Sequence, residues 1–254
     1  MIRKYKPIIN YETYYKTKLY MESEKNMSQC VFFWTNEGVV IAGDTKLTTE
    51  VNDSIENSCH KIFGVDNKIC FTVGNITNLD AIKVAISLHS VDELNKAVNN
   101  NFMIFYNTYS MKDIFNLLDN SIFSFMNNHE VNRTNSFVDV FIFSYENEAI
   151  VPYMMHINVD SQKSYYYEGK EFINVFSNHQ FIGLYRNELF YNGTPNTLEK
   201  GIEESIKVIN QAIEFDKQNH NKYVRGPIDW ITLNNNGKIR YSNDELKYKI
   251  PKRC

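Results

Sequence analysis

The chain first shows a regular hydrophobic pattern at residues 29–43. Two short apolar runs there flank the polar and glycine residues of 35–38, TNEG. Apolar runs of this length around a turn signal predict a β-hairpin. Residues 61–63 and 68–73 repeat the pattern, which predicts a second hairpin with its turn at 64–67.

Helical periodicity replaces this pattern in three longer segments. Residues 77–98 place apolar side chains on one side, as an amphipathic helix does. Ser110 and Asp113 form a capping-box pattern that predicts the start of a second helix, and residues 198–213 predict a third. The apolar positions are Leu79, Ile82, Ala85, Ile86 and Leu88 in the first, Ile114, Leu118, Ile122 and Phe125 in the second, and Leu198, Ile202, Ile206, Ile209 and Ile213 in the third.

The remaining apolar blocks have the length and composition of β-strands. They predict a three-stranded meander, the start of another strand, and two last strands joined by an NNNG turn. The predicted bounds are 137–145, 152–159 and 164–168 for the meander, 172–176 for the next strand, and 229–233 and 238–241 for the last two.

The order of these elements indicates the fold class. Strands are followed by two helices, more strands, a helix pair and strands again. Blocks of antiparallel strands separated by helices predict an α+β fold, with two sheets sandwiched between helical layers. Residues 1–27 show no helical or strand period and are interpreted as a leader or as a segment upstream of the true initiator. No repeat or linker divides 28–254, which we expect to be one domain.

Composition and charge exclude several classes of function. The chain has 254 residues, is 43% hydrophobic and carries a formal charge of −3, with its basic residues spread out. This balance argues against nucleic acid as the main partner. No window approaches the ~18 to 20 apolar residues of a membrane span, and the first 26 residues lack the apolar core of a secretory signal. We therefore expect no membrane partner and a cytoplasmic location.

The cysteines and histidines show no metal-binding pattern. No CxxC, HxxxH or HExxH spacing occurs, so a zinc site is not predicted. We expect reduced, mostly buried thiols and no metal or cofactor. The cysteines are Cys30, Cys59, Cys70 and Cys254, and the histidines are His60, His89, His129, His156, His179 and His220.

Four local motifs occur in the order and spacing of one known family. Residues 38–46, GVVIAGDTK, are similar to a strand of the type DGVVLAADSR, and 59–63, CHKIF, to an HKI strand that a glycine turn follows, here at Gly74. Residues 209–216, INQAIEFD, and 224–229, VRGPID, are similar to a last long helix and a GGPID segment. Together they resemble the β-type subunits of proteasomes and the proteasome-like N-terminal nucleophile (Ntn) hydrolases, over about residues 28–245.

This resemblance implies a four-layer αββα fold and identifies a nucleophile. In the family, the first residue of the mature chain attacks the substrate and lies sixteen residues before the Asp of the second-strand motif. Counting back from Asp44 gives Ser28, where most members have Thr. The α-amine of that residue would act as the general base, because a hydroxyl needs an adjacent base to become a nucleophile. Lys61 would keep the amine neutral by like-charge repulsion, and Asp44 would pair with Lys61.

The resemblance also implies roles for three other positions. The amide of Gly74 would stabilise the oxyanion. Ser177 and Asp216 would hold the mature N-terminus, although both glycines that normally flank the serine are absent from residues 176–179. Without the resemblance, Lys61 would be read as a surface lysine of an edge strand and Gly74 as an ordinary turn residue. Cys30 is a weaker candidate nucleophile, two residues further along the same strand face as Ser28.

Three functions stay open at this point. The first is hydrolysis of peptide or protein substrates by Ser28, within a ring of β-type subunits. The second is a non-catalytic ring subunit, which fits Met27 in place of the glycine that normally precedes the nucleophile. The third is a small-molecule amidase, because a fold does not fix its substrate. The catalytic functions require that Ser28 become N-terminal, either by cleavage of the leader or because Met27 is the initiator that is removed.

Overall fold

A computed structural model describes the chain in several ranges and forms the basis of all that follows. These ranges are 29–45, 60–74, 82, 86, 110–128, 137–158, 161, 163–176, 179–183, 185, 187–191, 193–219 and 223–248.

The described residues form ten β-strands, three α-helices and one short 3₁₀ helix. The strands are β1 Gln29–Thr35, β2 Gly38–Asp44, β3 Ile62–Val65, β4 Lys68–Gly74, β5 Phe137–Glu146, β6 Ala149–Asn158, β7 Lys163–Glu168, β8 His179–Gly183, β9 Ile228–Asn234 and β10 Ile239–Tyr241. The helices are α1 Met111–Asn128, α2 Lys170–Phe176 and α3 Leu198–Gln218, and the 3₁₀ helix is Asp244–Leu246.

Two antiparallel sheets contain these strands. In the described ranges, sheet 1 has the order β10-β9-β2-β1-β8 and sheet 2 the order β3-β4-β5-β6-β7. All pairings within the two sheets are antiparallel. The mixed α+β class predicted from the order of elements is therefore confirmed.

The two sheets pack against each other through aromatic and aliphatic side chains. Phe32 of β1 contacts the Phe143 and Phe172 rings, with centroids 5.2 and 5.8 Å away. On the outer face of sheet 1, Val31 and Ala42 pack with Val208 and Ala212 of α3. The outer face of sheet 2 packs against apolar residues of α1. Both faces of β2 are thus covered, which explains why its seven residues are all buried and read as a continuous apolar run.

Most predicted elements agree with the structure. Both early hairpins are present, although the second turn is shorter than predicted because Gly64 and Val65 belong to β3. The α1 helix begins after Ser110, whose amide and hydroxyl both donate to the Asp113 carboxylate, as the capping pattern predicted. Of the helix predicted at 77–98, only Ile82 and Ile86 are described, and both are helical and buried; the rest lies outside the described residues.

The strand predicted at 172–176 is wrong, because this segment belongs to helix α2. Phe172 and Phe176 are four residues apart, so a helix places both on one face. Their rings lie 4.7 Å apart and both are fully buried between the sheets. The strand that follows is β8, which starts at His179. The predicted helix pair before β9 is represented in the described residues by α3 alone.

The two sheets come close together where β2 ends. A Cβ atom on Gly43 would lie 3.1 Å from Cys30 Sγ and 3.3 Å from Ile62 Cγ2 of the other sheet. A glycine at this position therefore permits the close approach of β2 and β3. Asp44 follows Gly43 and Lys61 precedes Ile62 in the sequence. The close approach of Gly43 and Ile62 therefore brings Asp44 and Lys61 together between the sheets.

Every helix in the described ranges is too short or too polar to span a lipid bilayer.

Candidate active site

Asp44 and Lys61 form a buried ion pair where β2 ends and β3 is about to begin. The Lys61 Nζ atom lies 2.7 Å from Asp44 Oδ1 and 2.8 Å from Asp44 Oδ2, so the ammonium donates to both carboxylate oxygens. Asp44 is 1% exposed and Lys61 is 6% exposed. The ion pair expected from the resemblance is therefore present.

Burial makes each partner dependent on the other. Removing either charge from water costs several kcal/mol, and only a close and well-hydrogen-bonded partner offsets this cost. The bidentate geometry supplies such a partner. Lys61 is also fixed through its backbone, since its carbonyl accepts a hydrogen bond of 3.0 Å from the Thr72 amide of β4. The ammonium is consequently held at one position between the two sheets.

Gln29 adds a third group to this site. Its backbone N–H donates to Asp44 Oδ1 over 2.7 Å. Its side chain links β1 to β8 and to the segment that follows it, because Nε2 donates to the Ile182 carbonyl of β8 at 3.3 Å and Oε1 accepts from the Tyr185 amide at 3.1 Å. No sequence pattern points to Gln29, because a backbone amide carries no signal in the sequence.

Gly74 ends β4, two residues beyond the Thr72 amide that fixes Lys61. It pairs with Val138 of β5. A Cβ atom here would lie 2.4 Å from the Phe137 carbonyl oxygen and 2.8 Å from Val138 Cα, both backbone atoms. Close backbone packing, rather than a free turn, therefore accounts for a glycine at this position.

Asp216 is buried near the end of α3 and accepts several hydrogen bonds. The Tyr185 hydroxyl donates to Oδ1 at 2.8 Å, and the amides of Tyr223 and Val224 donate to Oδ2 at 2.9 and 3.3 Å. Tyr185 also donates its amide to Gln29, so one residue connects Asp216 to the start of β1. Asp216 thus anchors the segment after α3 and is connected to Gln29 through Tyr185, which bonds to both.

Cys30 lies beside the ion pair but has the properties of a core residue. Its side chain is fully buried among apolar residues of both sheets. Burial raises the pKa of its thiol to about 12; the positive charge of Lys61 acts in the opposite direction, and the negative charge of Asp44 raises the pKa further. A thiol is a poor nucleophile when so little of it is ionised. Cys30 and Cys70 are both free and buried, as predicted for the cysteines.

His60, the residue before Lys61, contacts two carboxylates. Its Nδ1 atom lies 2.6 Å from Asp229 Oδ2 of β9, and its Nε2 atom lies 3.0 Å from Glu245 Oε2 of the 3₁₀ helix. Asp229 lies in the GPID segment, but the sequence pattern does not predict its contact with His60, because 169 residues separate the two. Within the described part of the chain, no three His, Cys, Asp or Glu side chains are arranged to hold a metal ion.

The structure thus brings Asp44 and Lys61 together and places Gly74 on the neighbouring strand. Asp216 is linked to this region through Tyr185, whose hydroxyl donates to Asp216 and whose amide donates to Gln29. Ser28 and Ser177 lie outside the described residues. The arrangement holds a fixed positive charge and a fixed negative charge next to the Gln29 amide at the start of β1.

Comparisons with known proteins include a structural likeness at low sequence identity. No protein-family model and no curated protein matches the sequence. Among solved structures, the Anbu (Gly-1) mutant from Hyphomicrobium sp. strain MC1 has 12% identity and a TM-score of 0.49, covering 86% of this chain and 90% of that chain. Anbu is a proteasome-like Ntn hydrolase. At this identity and TM-score, the likeness assigns no activity and no residue role to this chain.

Proposed function

We propose that this chain is an Ntn hydrolase that cleaves peptide bonds with Ser28 as its nucleophile. The observation that carries the proposal is the convergence of the Gln29 amide and the Lys61 ammonium on the Asp44 carboxylate. Gln29 is covalently joined to residue 28, and consecutive Cα atoms are about 3.8 Å apart across a trans peptide bond. Residue 28 is therefore bonded directly to the residue whose amide contacts Asp44.

The ion pair supplies what an N-terminal nucleophile needs. The α-amine of a chain titrates near ~7.7 to 8.0 in model compounds, which suits a general base at neutral pH. The ammonium of Lys61 disfavours a second positive charge nearby and so favours the neutral amine. Asp44 holds Nζ in position and balances its charge inside the protein.

The proposed reaction has two halves. The Ser28 hydroxyl oxygen bonds to the substrate carbonyl carbon while its proton passes to the α-amine, and the Gly74 amide donates to the resulting oxyanion. The C–N bond then breaks, and the α-ammonium returns the proton to the leaving amine. In the second half, the α-amine takes a proton from water, whose oxygen attacks the ester carbonyl carbon. The C–O bond to Ser28 then breaks, the α-ammonium returns the proton to the Ser28 oxygen, and the acid product leaves.

The proposal includes a fuller architecture than the described residues establish. It takes 28–254 as the catalytic domain, 1–27 as a leader or upstream segment, the layers as αββα, and the assembly as a cytoplasmic ring with other β-type subunits. The packing of α3 on sheet 1 and of α1 on sheet 2 supports the layers. Light scattering after size-exclusion chromatography tests the ring, and the mass of a single chain at micromolar concentration would contradict it.

The first experiment determines whether Ser28 is exposed. Intact-mass and N-terminal analysis of the protein from its natural source should find a chain that starts at Ser28. A chain that keeps Met1 to Met27 would contradict catalysis by Ser28, since an acylated amine is no base.

The second experiment tests the chemistry directly. A peptide epoxyketone requires both a hydroxyl and a free α-amine, so a chain that begins at Ser28 should form a stable adduct, detected by mass. Ser28→Ala should abolish the adduct, and Lys61→Met should slow it strongly. Cys30→Ala should leave it unchanged, which makes it the matched control for the neighbouring thiol. An adduct that survives in Ser28→Ala would refute the assignment of the nucleophile.

The geometry of Asp216 favours a second candidate, a non-catalytic ring subunit. Three donors from Tyr185, Tyr223 and Val224 engage its carboxylate, which gives Asp216 an anchoring role that needs no catalysis. Met27 and the altered 176–179 turn agree with this candidate. If the chain that begins at Ser28 joins the ring but forms no adduct, the structural role replaces the catalytic one.

A further inference from the structure

His60 bridges two carboxylates that belong to different parts of the fold. Asp229 lies in β9 of sheet 1, where it pairs with Gly43, the residue before Asp44. Glu245 lies in the 3₁₀ helix. Asp229 is 7% exposed at its side chain, His60 27% and Glu245 73%. The imidazole of His60 therefore links the segment just before β3 to sheet 1 through Asp229 and to the 3₁₀ helix through Glu245.

The geometry determines the charge of this imidazole. Both ring nitrogens face a carboxylate oxygen at hydrogen-bond distance, 2.6 Å on one side and 3.0 Å on the other. An ionised carboxylate only accepts hydrogen bonds, and a neutral imidazole has a single N–H group. Both hydrogen bonds form together only when His60 is an imidazolium.

The same region of the backbone is held at a second point. The Tyr248 amide donates to the Gly64 carbonyl at 2.9 Å, and Lys247 forms a parallel bridge with Gly64. The segment after the 3₁₀ helix thus follows β3 along its edge. With His60 attached to Glu245 and Asp229, the start of β3 is fixed from both sheets.

We propose that His60 is a positioning residue, an imidazolium clamp between Asp229 and Glu245 that holds Lys61 against Asp44. When His60 loses its proton, one of the two hydrogen bonds is lost and the start of β3 loosens. Lys61 then samples positions away from Asp44. Only the catalytic consequence of this clamp rests on the proposed function; the clamp itself does not.

The pH range of the clamp follows from its surroundings. Burial alone would lower the pKa of His60, but the hydrogen bonds and the negative charges of Asp229 and Glu245 raise it above the ordinary value of 6.5. Among the described residues of this region, the other charged groups are the paired Lys61 and Asp44, and Asp244 and Lys247 beside Glu245. Because the folded-state pKa is raised, the stabilisation is fully present below the unfolded value and is lost as pH rises through the folded-state pKa.

The first test measures the protonation of His60 in the full chain. NMR of ¹⁵N-labelled imidazoles should show His60 with both nitrogens protonated and a pKa above 6.5. Glu245→Gln should lower this pKa and keep the fold, since the side chain is 73% exposed. Glu203→Gln, an equally charged change on α3 with 67% exposure, should leave it unchanged. A neutral His60 at pH 6, or a pKa that does not respond to Glu245→Gln, would overturn the clamp.

The second test measures the position of Lys61 without any need for activity. Acetic anhydride labels accessible lysines, and peptide mass analysis reports the labelled fraction of Lys61 at each pH. The pH at which Lys61 becomes labelled should shift downward in Glu245→Gln and should stay in place in Glu203→Gln. Identical labelling curves in the wild type and Glu245→Gln would overturn the positioning role.

Adduct formation with the epoxyketone then separates the two proposals. Its rate should decline at a lower pH in Glu245→Gln than in the wild type. If the wild type forms no adduct while the titration and labelling behave as stated, the proposed function fails and the clamp stands. If the adduct forms and its pH profile is the same in both proteins, the catalytic function stands and the coupling of the clamp to Lys61 fails.

Discussion

Replacing Lys61 with methionine should destabilise the protein far more than a surface lysine change does. Asp44, 1% exposed, would keep the Gln29 amide but lose both hydrogen bonds from Nζ. Breaking a buried pair by removing one partner typically costs about 3 to 5 kcal/mol. For a chain of this size, about 2 to 4 °C per kcal/mol converts this cost into a decrease in Tm of roughly 6 to 20 °C.

The matched control is Lys207→Met on α3. Lys207 is 65% exposed and lies 3.4 Å from the Glu204 carboxylate. The Glu204 side chain is 11% exposed but also pairs with Lys200 at 3.1 Å, so removing the exposed Lys207 ammonium should cost about 0 to 1 kcal/mol. Urea denaturation at pH 7 and at one fixed protomer concentration measures both variants, since assembly makes apparent stability depend on concentration.

A double-mutant cycle isolates the interaction itself. Asp44→Asn keeps an acceptor for the Gln29 amide but removes the negative charge. In the double variant with Lys61→Met neither member of the pair is charged, so much of the stability should return, with a coupling energy of about 1 to 3 kcal/mol. The reasoning is refuted if Lys61→Met costs no more than Lys207→Met, or if the double variant loses the sum of the two single costs.

Further predictions concern the residues around the ion pair. Gly74→Ala should cost about 1 to 3 kcal/mol in urea denaturation, because the new Cβ would overlap the backbone of β5; an unchanged midpoint would contradict this packing. Cys30 should resist iodoacetamide at pH 8 in the folded protein and react in urea, because burial raises its thiol pKa to about 12; rapid native labelling would contradict its burial. Tyr185→Phe should cost about 1 to 3 kcal/mol, because it removes the hydroxyl that donates to Asp216 Oδ1 in a buried site. Tyr223→Phe is its control, since Tyr223 contacts Asp216 through its backbone amide, and equal costs would contradict the role of the Tyr185 hydroxyl.

The position of the ion pair at the sheet interface has a physical consequence for any chemistry at residue 28. Charges between packed sheets interact more strongly than charges in water, because the local dielectric constant is lower. A fixed ammonium at this place can therefore influence a neighbouring amine more than a mobile surface lysine would. The same exclusion of water makes the stability of the protein sensitive to the loss of either charged partner.

The sequence by itself determined most of the local elements. The hairpin of β1 and β2, the meander from β5 to β7 and the helix α3 follow from short-range signals: turn residues, alternation and helical spacing. The pairing of Asp44 with Lys61 followed from a resemblance in motif order, and the structure contains that pair. Helix α2 shows where local signals are ambiguous, because a short apolar run fits a strand as well as one buried helical turn.

Only the tertiary structure decided how distant groups meet. Strand pairing and the close approach at Gly43 place the Gln29 amide on Asp44, and the packing of β9 against β3 places Asp229 at His60, 169 residues away in the chain. Such contacts depend on sheet register and packing, which no local pattern of residues specifies. The sequence therefore specifies which charged groups are present, while the fold decides which of them share a buried hydrogen bond and so depend on one another.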